Sequence, residues 1–158
     1  QDYAGKKVPT ILYERHYFKK YTSNKYTKSH PVLSGNRGNY GKYNAQYPKL
    51  LEAMGLDEDS ALKSCSWGKF QIMGANYKNC GHANVKEMIT DAFKSEKEHL
   101  KQFINFVLYD KNLLSAIQGK KWANFAKGYN GPAYADNAYD VKMETAYNHF
   151  VKNKDELP

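Results

Sequence analysis

Apolar side chains recur along the chain in short blocks separated by polar stretches that contain glycine. Ile11, Tyr17, Phe18 and Tyr21 return at helical spacing after Pro9, whose fixed φ and missing N–H suit a first helical position. The pattern predicts a first helix from Pro9 through Tyr21. Residues 22 to 44 are rich in Ser, Asn, Gly, Lys and Tyr and are punctuated by Pro31, Gly35, Gly38 and Gly41, which reads as a long loop or a short hairpin. Short helices follow over Tyr47 to Met54, stopped by Gly55, and from Glu58 to about Ser64, capped by Asp57. Asn84 caps a helix to about Phe93. Ser95-Glu96-Lys97-Glu98 is a capping box for a helix that turns Leu100, Phe103, Ile104, Val107 and Leu108 to one side. Asn112 caps Leu113 to Gln118, and Lys121 to Lys127 places Trp122, Phe125 and Ala126 on an inner face. Gly128-Tyr129-Asn130-Gly131-Pro132 then breaks the chain before a last helix near Tyr139 to Val151. The expected fold is mainly α, with a glycine-rich loop or short hairpin after the first helix and no internal repeat.

The length of 158 residues and the lack of any linker-like stretch point to one domain over 1–158. Hydrophobic types make up 41% and aromatics 15%, enough to bury one core, so a disordered chain is excluded. No apolar run approaches the roughly 18 residues of a membrane span. The net charge of +8 comes almost wholly from lysine, since Arg15 and Arg37 are the only arginines. Such a field favours polyanions: nucleic acid, anionic membrane or the bacterial envelope. Specific nucleic-acid reading is disfavoured, because guanidinium forks are scarce. Cys65 and Cys80 are read as buried thiols, with one bridge open if their Cα atoms come within about 7 Å. His16, His30, His82, His99 and His149 are scattered, and none pairs with a cysteine or second histidine at metal spacing, so no metal and no cofactor is expected. They read as surface or supporting groups, with His16 placed to orient the region around Glu14. The start at Gln1 reads as a processed chain or excised domain, and Lys154-Asp155-Glu156-Leu157 is followed by Pro158, so it is not a retention tetrapeptide.

Glu14 does not fit a solvated reading. On a helix its neighbours would be Ile11, Tyr17, Phe18 and Tyr21, an aromatic stripe rather than the lysines. Burial there is expected to raise its pKa, because the charged form loses hydration. A glutamic acid held protonated is what transfer of a proton to a glycosidic oxygen requires. The bland alternative is a boundary residue paired with Arg15 or His16. Two further segments carry chemistry: Ser66-Trp67-Gly68-Lys69-Phe70-Gln71-Ile72-Met73, where Gly68 admits close backbone approach and Gln71 offers both donor and acceptor, and Tyr129-Asn130, a ring face and an amide of the kind that suit N-acetylated sugars.

Three ordered stretches together resemble the N-acetylmuramidase domain of phage endolysins and related bacterial cell-wall enzymes over about residues 8 to 150. They are Ile11 to Phe18, Ser64 to Gly74, and Phe125 to Tyr134. Gly68-x-x-Gln71-Ile72 and Tyr129-Asn130 are also similar to goose-type lysozymes and soluble lytic transglycosylases. The resemblance implies a lysozyme-like helical fold and a glycoside hydrolase cutting the β-1,4 bond between N-acetylmuramic acid and N-acetylglucosamine. It implies Glu14 as general acid, and Ser66, Gln71, Ile72, Tyr129 and Asn130 as substrate-binding positions. Tyr40 and Tyr43 are candidate stacking platforms. Its partner would be the glycan strands of peptidoglycan, met outside the cytoplasm by a monomer that neither enters a membrane nor binds nucleic acid.

Fifty-four positions separate Glu14 from Gly68, far more than in a lytic transglycosylase. The second carboxylate stays open among Glu52, Asp57, Glu58 and Asp59, with Asp59 the first to test. Without one, the muramic hydroxyl itself would attack, giving a 1,6-anhydro product. The competing class is a non-catalytic module that binds peptidoglycan or nucleic acid.

Overall fold

A computed structural model describes residues 1–153; the tail Lys154-Asp155-Glu156-Leu157-Pro158 lies outside the described residues. The chain divides into two compact units, Gln1–Phe106 and Val107 onward.

The first unit opens with a two-strand ribbon, β1 (Asp2–Tyr3) and β2 (Lys6–Lys7), joined through Ala4 and Gly5, both at positive φ. The predicted first helix is split. Ile11–Tyr13 forms a strand, β3, and helix α1 covers only Arg15–Tyr21. Ile11 and Tyr13 are buried and Leu12 is half-buried, a period of two that the helical spacing concealed. The partner strand decides the matter: β3 pairs antiparallel with β4 (Cys65–Trp67), placing Ile11 opposite Trp67 and Tyr13 opposite Cys65. β4 turns back into β5 (Ile72–Met73), with Trp67 opposite Ile72.

Residues 22 to 42 contain turns and no helix or strand, so the excursion is a loop. It is nonetheless anchored. Leu33 is 1% exposed, its carbonyl accepts from the Tyr13 hydroxyl at 3.0 Å, and Arg15 donates to the carbonyls of Asn36 (2.7 Å) and Pro31 (3.0 Å). Helix α2 (Gln46–Leu56) passes through Gly55 rather than stopping before it. Its buried Gln46 accepts from the Tyr13 N–H and donates to Tyr40 and Lys42 carbonyls, stitching loop to sheet. Asp57 caps α3 (Glu58–Lys63) by accepting from the Ser60 N–H, Asn84 caps α4 (Val85–Lys94) through Glu87, and Ser95 accepts from Glu98 at the start of α5 (Glu96–Tyr109). The core gathers Ile11, Tyr13, Phe18, Leu33, Tyr47, Leu50, Leu62, Trp67, Val85 and Ile89. Helix α5 is rotated from expectation: Leu100 and Ile104 are exposed, while His99 and Gln102 are buried. Those two polar groups are inside because each has a partner, His99 on Ala92 and Gln102 on the Met88 carbonyl at 2.8 Å.

The second unit holds α6 (Lys111–Gln118), α7 (Trp122–Asn130) and α8 (Tyr139–Lys152). Asp110, not Asn112, caps α6, accepting from the Asn112 and Leu113 N–H groups; a carboxylate one residue before the first turn reaches both. Leu113, Ala116, Phe125 and Ala126 are buried, and Gly128 lets α7 approach α6, since a Cβ there would meet Leu113 at 2.8 Å. Trp122 packs on Tyr147 of α8 at 5.3 Å.

Candidate active site

Glu14 stands at the joint between β3 and α1, where both flanks are pinned. Its N–H donates to the Ser64 carbonyl at 3.0 Å, and its carbonyl accepts from Tyr17 and Phe18. It occupies the position before the first helical residue, yet its side chain makes no capping hydrogen bond. The side chain is only 12% exposed, so the solvated reading is excluded. Oε2 lies 3.2 Å from Nδ1 of His16, but the two are not aligned for a hydrogen bond, and both atoms are buried with none. Orphaned buried oxygens of this kind are uncommon in folded proteins and call for an explanation.

The surroundings are polarised by that carboxylate. Burial pushes the imidazolium of His16 below its ordinary pKa; the carboxylate of Glu14 opposes this and the Arg37 guanidinium adds to it, so the ring is kept neutral. Burial, then Glu14, raises the Cys65 thiol well above its usual range, and burial alone takes Cys80 up to about 12. Both cysteines are free, buried and inert.

The β4–β5 hairpin carries Ser66 on its first strand, Gln71 in its turn and Ile72 on its second strand. Gly68 has φ +73, and a Cβ on it would strike the His99 ring at 2.9 Å. His99 fills that space and accepts from the Lys69 N–H at 3.3 Å through Nδ1, while Nε2 donates to the Ala92 carbonyl at 2.7 Å. Gln71, also at positive φ, is wholly engaged on its donor side: Nε2 donates to Gly68 (2.8 Å) and Thr10 (3.2 Å), and Oε1 accepts from Ser66 at 3.3 Å. One lone pair of Oε1 remains. Ile72 is buried in the sheet.

These elements have a counterpart among known proteins. A family model described as N-acetylmuramidase matches residues 2–151. The chain belongs to the N-acetylmuramidase family. A search of curated proteins finds no match. Among solved structures, the crystal structure of a Burkholderia AP3 phage endolysin is similar, with 40% identity and a TM-score of 0.86 over 92% of this chain. The chain spans 57% of the length of that endolysin chain.

Within this N-acetylmuramidase domain the remaining expected residues fall as follows. Tyr129 and Asn130 lie in the last turn of α7, in the second unit, rather than on a tight turn, because Gly131 (φ +85) ends the helix only after them. Tyr129 stacks on Phe125 at 5.6 Å, and Asn130 is exposed. Three of the four candidate second carboxylates have other partners: Asp57 caps α3, and Glu58 pairs with Lys86 and Asp59 with Lys63, each pair at 2.6 Å; Glu52 is exposed on α2. Tyr43 is 58% exposed, and Tyr40 receives a hydrogen bond from Arg37 at 3.4 Å. Among the described residues no cluster of metal-ligating side chains occurs, and no helix is long and apolar enough to cross a membrane. Sequence reading missed two residues of this region. Arg37 acts electrostatically on Glu14 and His16 from the loop, and its only signal was its rarity. His99 braces the turn from thirty residues away, which no local pattern marks.

Proposed function

We propose that the chain is a peptidoglycan muramidase that cleaves the β-1,4 bond between N-acetylmuramic acid and N-acetylglucosamine, with Glu14 as the general acid. One observation carries the reading: in a chain of the N-acetylmuramidase family, a glutamate at a strand-to-helix joint is nearly closed from solvent and keeps a buried oxygen that no hydrogen bond satisfies. Glu14 donates its proton to the glycosidic oxygen, so the N-acetylglucosamine hydroxyl leaves as a neutral group while positive charge develops at C1 of the muramic acid. An imidazolium beside a carboxyl group favours its ionised form, so the neutral His16 is the companion that proton donation needs. Gln71 and Ser66 hold the β4–β5 turn, and the spare lone pair of Gln71 Oε1 accepts from an acetamido N–H. The backbone at Ile72 lines the sugar site. On the second unit taken by itself, Tyr129 offers a ring face and Asn130 an exposed amide, groups of the kind that bind a glycan. The substrate lies in the bacterial wall, outside the cytoplasm, and the protein acts as a monomer.

A second reading concerns the product. Asp57, Glu58 and Asp59 are already capped or ion-paired, which leaves the exposed Glu52 as the candidate to activate water; without it, the muramic C6 hydroxyl attacks and gives a 1,6-anhydro product. Mass spectrometry of a peptidoglycan digest tests both readings at once. Reducing muropeptides identify hydrolysis, and fragments lighter by one water identify the anhydro route. Binding to the wall without release of any soluble fragment would refute catalysis altogether.

A further inference from the structure

A depression of about 340 Å³ is lined by His16, Lys19, Lys20, Asn24, Gly35, Asn36 and Arg37, with no acidic residue among its walls. Elsewhere on the first unit lysines pair with carboxylates, as in Lys63–Asp59, Lys86–Glu58, Lys94–Asp91 and Lys101–Glu98. Lys19, Lys20 and Arg37 form no ion pair among the described residues. Lys19 is instead steered by the Asn36 side-chain oxygen at 3.0 Å, which leaves two of its N–H donors for other use. Arg37 spends only Nε, on Tyr40, so its terminal fork is open.

The cluster is assembled, not accidental to a flexible loop. Arg15 grips the loop by the Asn36 and Pro31 carbonyls, and the Gly35 N–H returns to the Arg15 carbonyl. Gly35 leaves room for that grip, because a Cβ would meet the Arg15 guanidinium at 2.7 Å and displace it. That grip sets Arg37 across from α1 and its two lysines. The nearest opposite charge, Glu14, acts on Arg37 and His16 but does not line the depression, so an anion bound there would be attracted by Lys19, Lys20 and Arg37 together.

We infer that this depression is a subsite for a carboxylate of the stem peptide borne by the muramic acid whose bond is cut. The inference rests on the muramidase reading and extends it to the substrate's substituent. The peptide hangs from C3 of the same ring whose C1 receives the chemistry, so its anionic groups fall close to the general acid. His16 joins the two places: it lines the depression, and its Nδ1 is 3.2 Å from Glu14 Oε2. A glycan backbone is uncharged, whereas the peptide carries free carboxylates that a guanidinium fork and ammonium groups recognise.

The test compares release of soluble fragments from peptidoglycan whose stem-peptide carboxylates are free and from the same peptidoglycan with those carboxylates converted to amides. The parent is expected to cut the free-carboxylate strands roughly tenfold faster, the scale of one charge-assisted hydrogen bond. In the Lys20→Ala/Arg37→Ala variant the ratio of the two rates should fall to near one. A parent without preference, or a variant that keeps the parent's ratio, overturns the subsite. A parent inactive on both substrates sinks the muramidase reading instead, and binding then decides the subsite. For that arm, full-length Glu14→Gln protein is titrated with a disaccharide-peptide fragment and followed by the backbone amide resonances of residues 19, 20, 36 and 37. Movement with the free-carboxylate fragment but not with its amidated form supports the subsite. Equal movement with both, or saturation by inorganic phosphate at lower concentration, overturns it.

Discussion

The joint at Glu14 and the turn at Gln71 both place a polar side chain on a pinned backbone in the first unit, and they treat it in opposite ways. Gln71 gives both its amide hydrogens to carbonyls and accepts from Ser66, while His99 packs beneath the neighbouring glycine. Glu14 receives nothing at Oε2 although that atom is buried. A polar group whose bonds are internal braces the fold; one left incomplete stores free energy that substrate can use. On the proposed reading the turn is chiefly a brace that spares one acceptor for sugar, and the joint is where the chemistry occurs.

The largest effect that would break this contrast is at Glu14. Glu14→Gln should lower the rate of wall cleavage about 10²–10⁴-fold, the usual worth of a general acid. Its unfolding midpoint should hold or rise, since an amide loses less hydration on burial than a carboxylate. A variant that clears purified peptidoglycan as fast as the parent removes the joint from the chemistry. Next comes Gly68→Ala, which combines a positive φ with a clash against His99; a loss of about 3 kcal/mol in urea unfolding is expected. A loss below about 1 kcal/mol would mean that the turn re-forms without its glycine.

Gln71→Ala sharpens the other side. It should cost about 1–2 kcal/mol of stability from the lost hydrogen bonds, and less than a tenfold fall in rate. A hundredfold fall in rate with unchanged stability would move Gln71 from brace to principal sugar ligand. His16 gives a smaller, pH-dependent signal. Its folded pKa is lowered, so the unfolded chain binds a proton that the folded protein refuses. The stability it contributes is complete above the ordinary histidine value and is lost as pH falls through that value toward the lower folded one. Between about pH 7.5 and about pH 5.5 the urea midpoint of the parent should therefore drop more than that of His16→Gln. Equal drops would show that the ring is not desolvated. The smallest effect is ionic. With a net charge of +8, lysis of whole wall should weaken a few-fold more than turnover of short soluble glycans once salt shortens the Debye length to about 10 Å. Equal losses on both substrates would tell against adsorption to the polyanionic wall.

Much of the helical framework was legible along the chain because it depends on neighbours. Asp57, Asn84 and Ser95 cap helices through amides three residues on, so their patterns read directly. The burial of Glu14 was legible too, although the helix that the expectation relied on begins only at Arg15 and Ile11 lies in a strand. Asp110 was overlooked for Asn112 because either fits the composition of a cap, and the geometry of the turn chooses between them.

What the local pattern could not supply depends on segments far apart in the chain. Residues 11–13 have the spacing of a helix and the structure of a strand, because pairing with 65–67 satisfies their backbone and buries Ile11 and Tyr13 at once. The same distance hid the bond from Gln71 to Thr10, sixty-one residues away, and the support of Gly68 by His99. Composition, helix content, the glutamate in aromatic company and the family motifs follow from short-range chemistry, which a linear string records. Which buried carboxylate oxygen is left without a hydrogen bond, which amide is consumed and where three lysine and arginine charges converge follow from packing. Burial and hydrogen-bond satisfaction are properties of the folded neighbourhood, and no residue carries them alone.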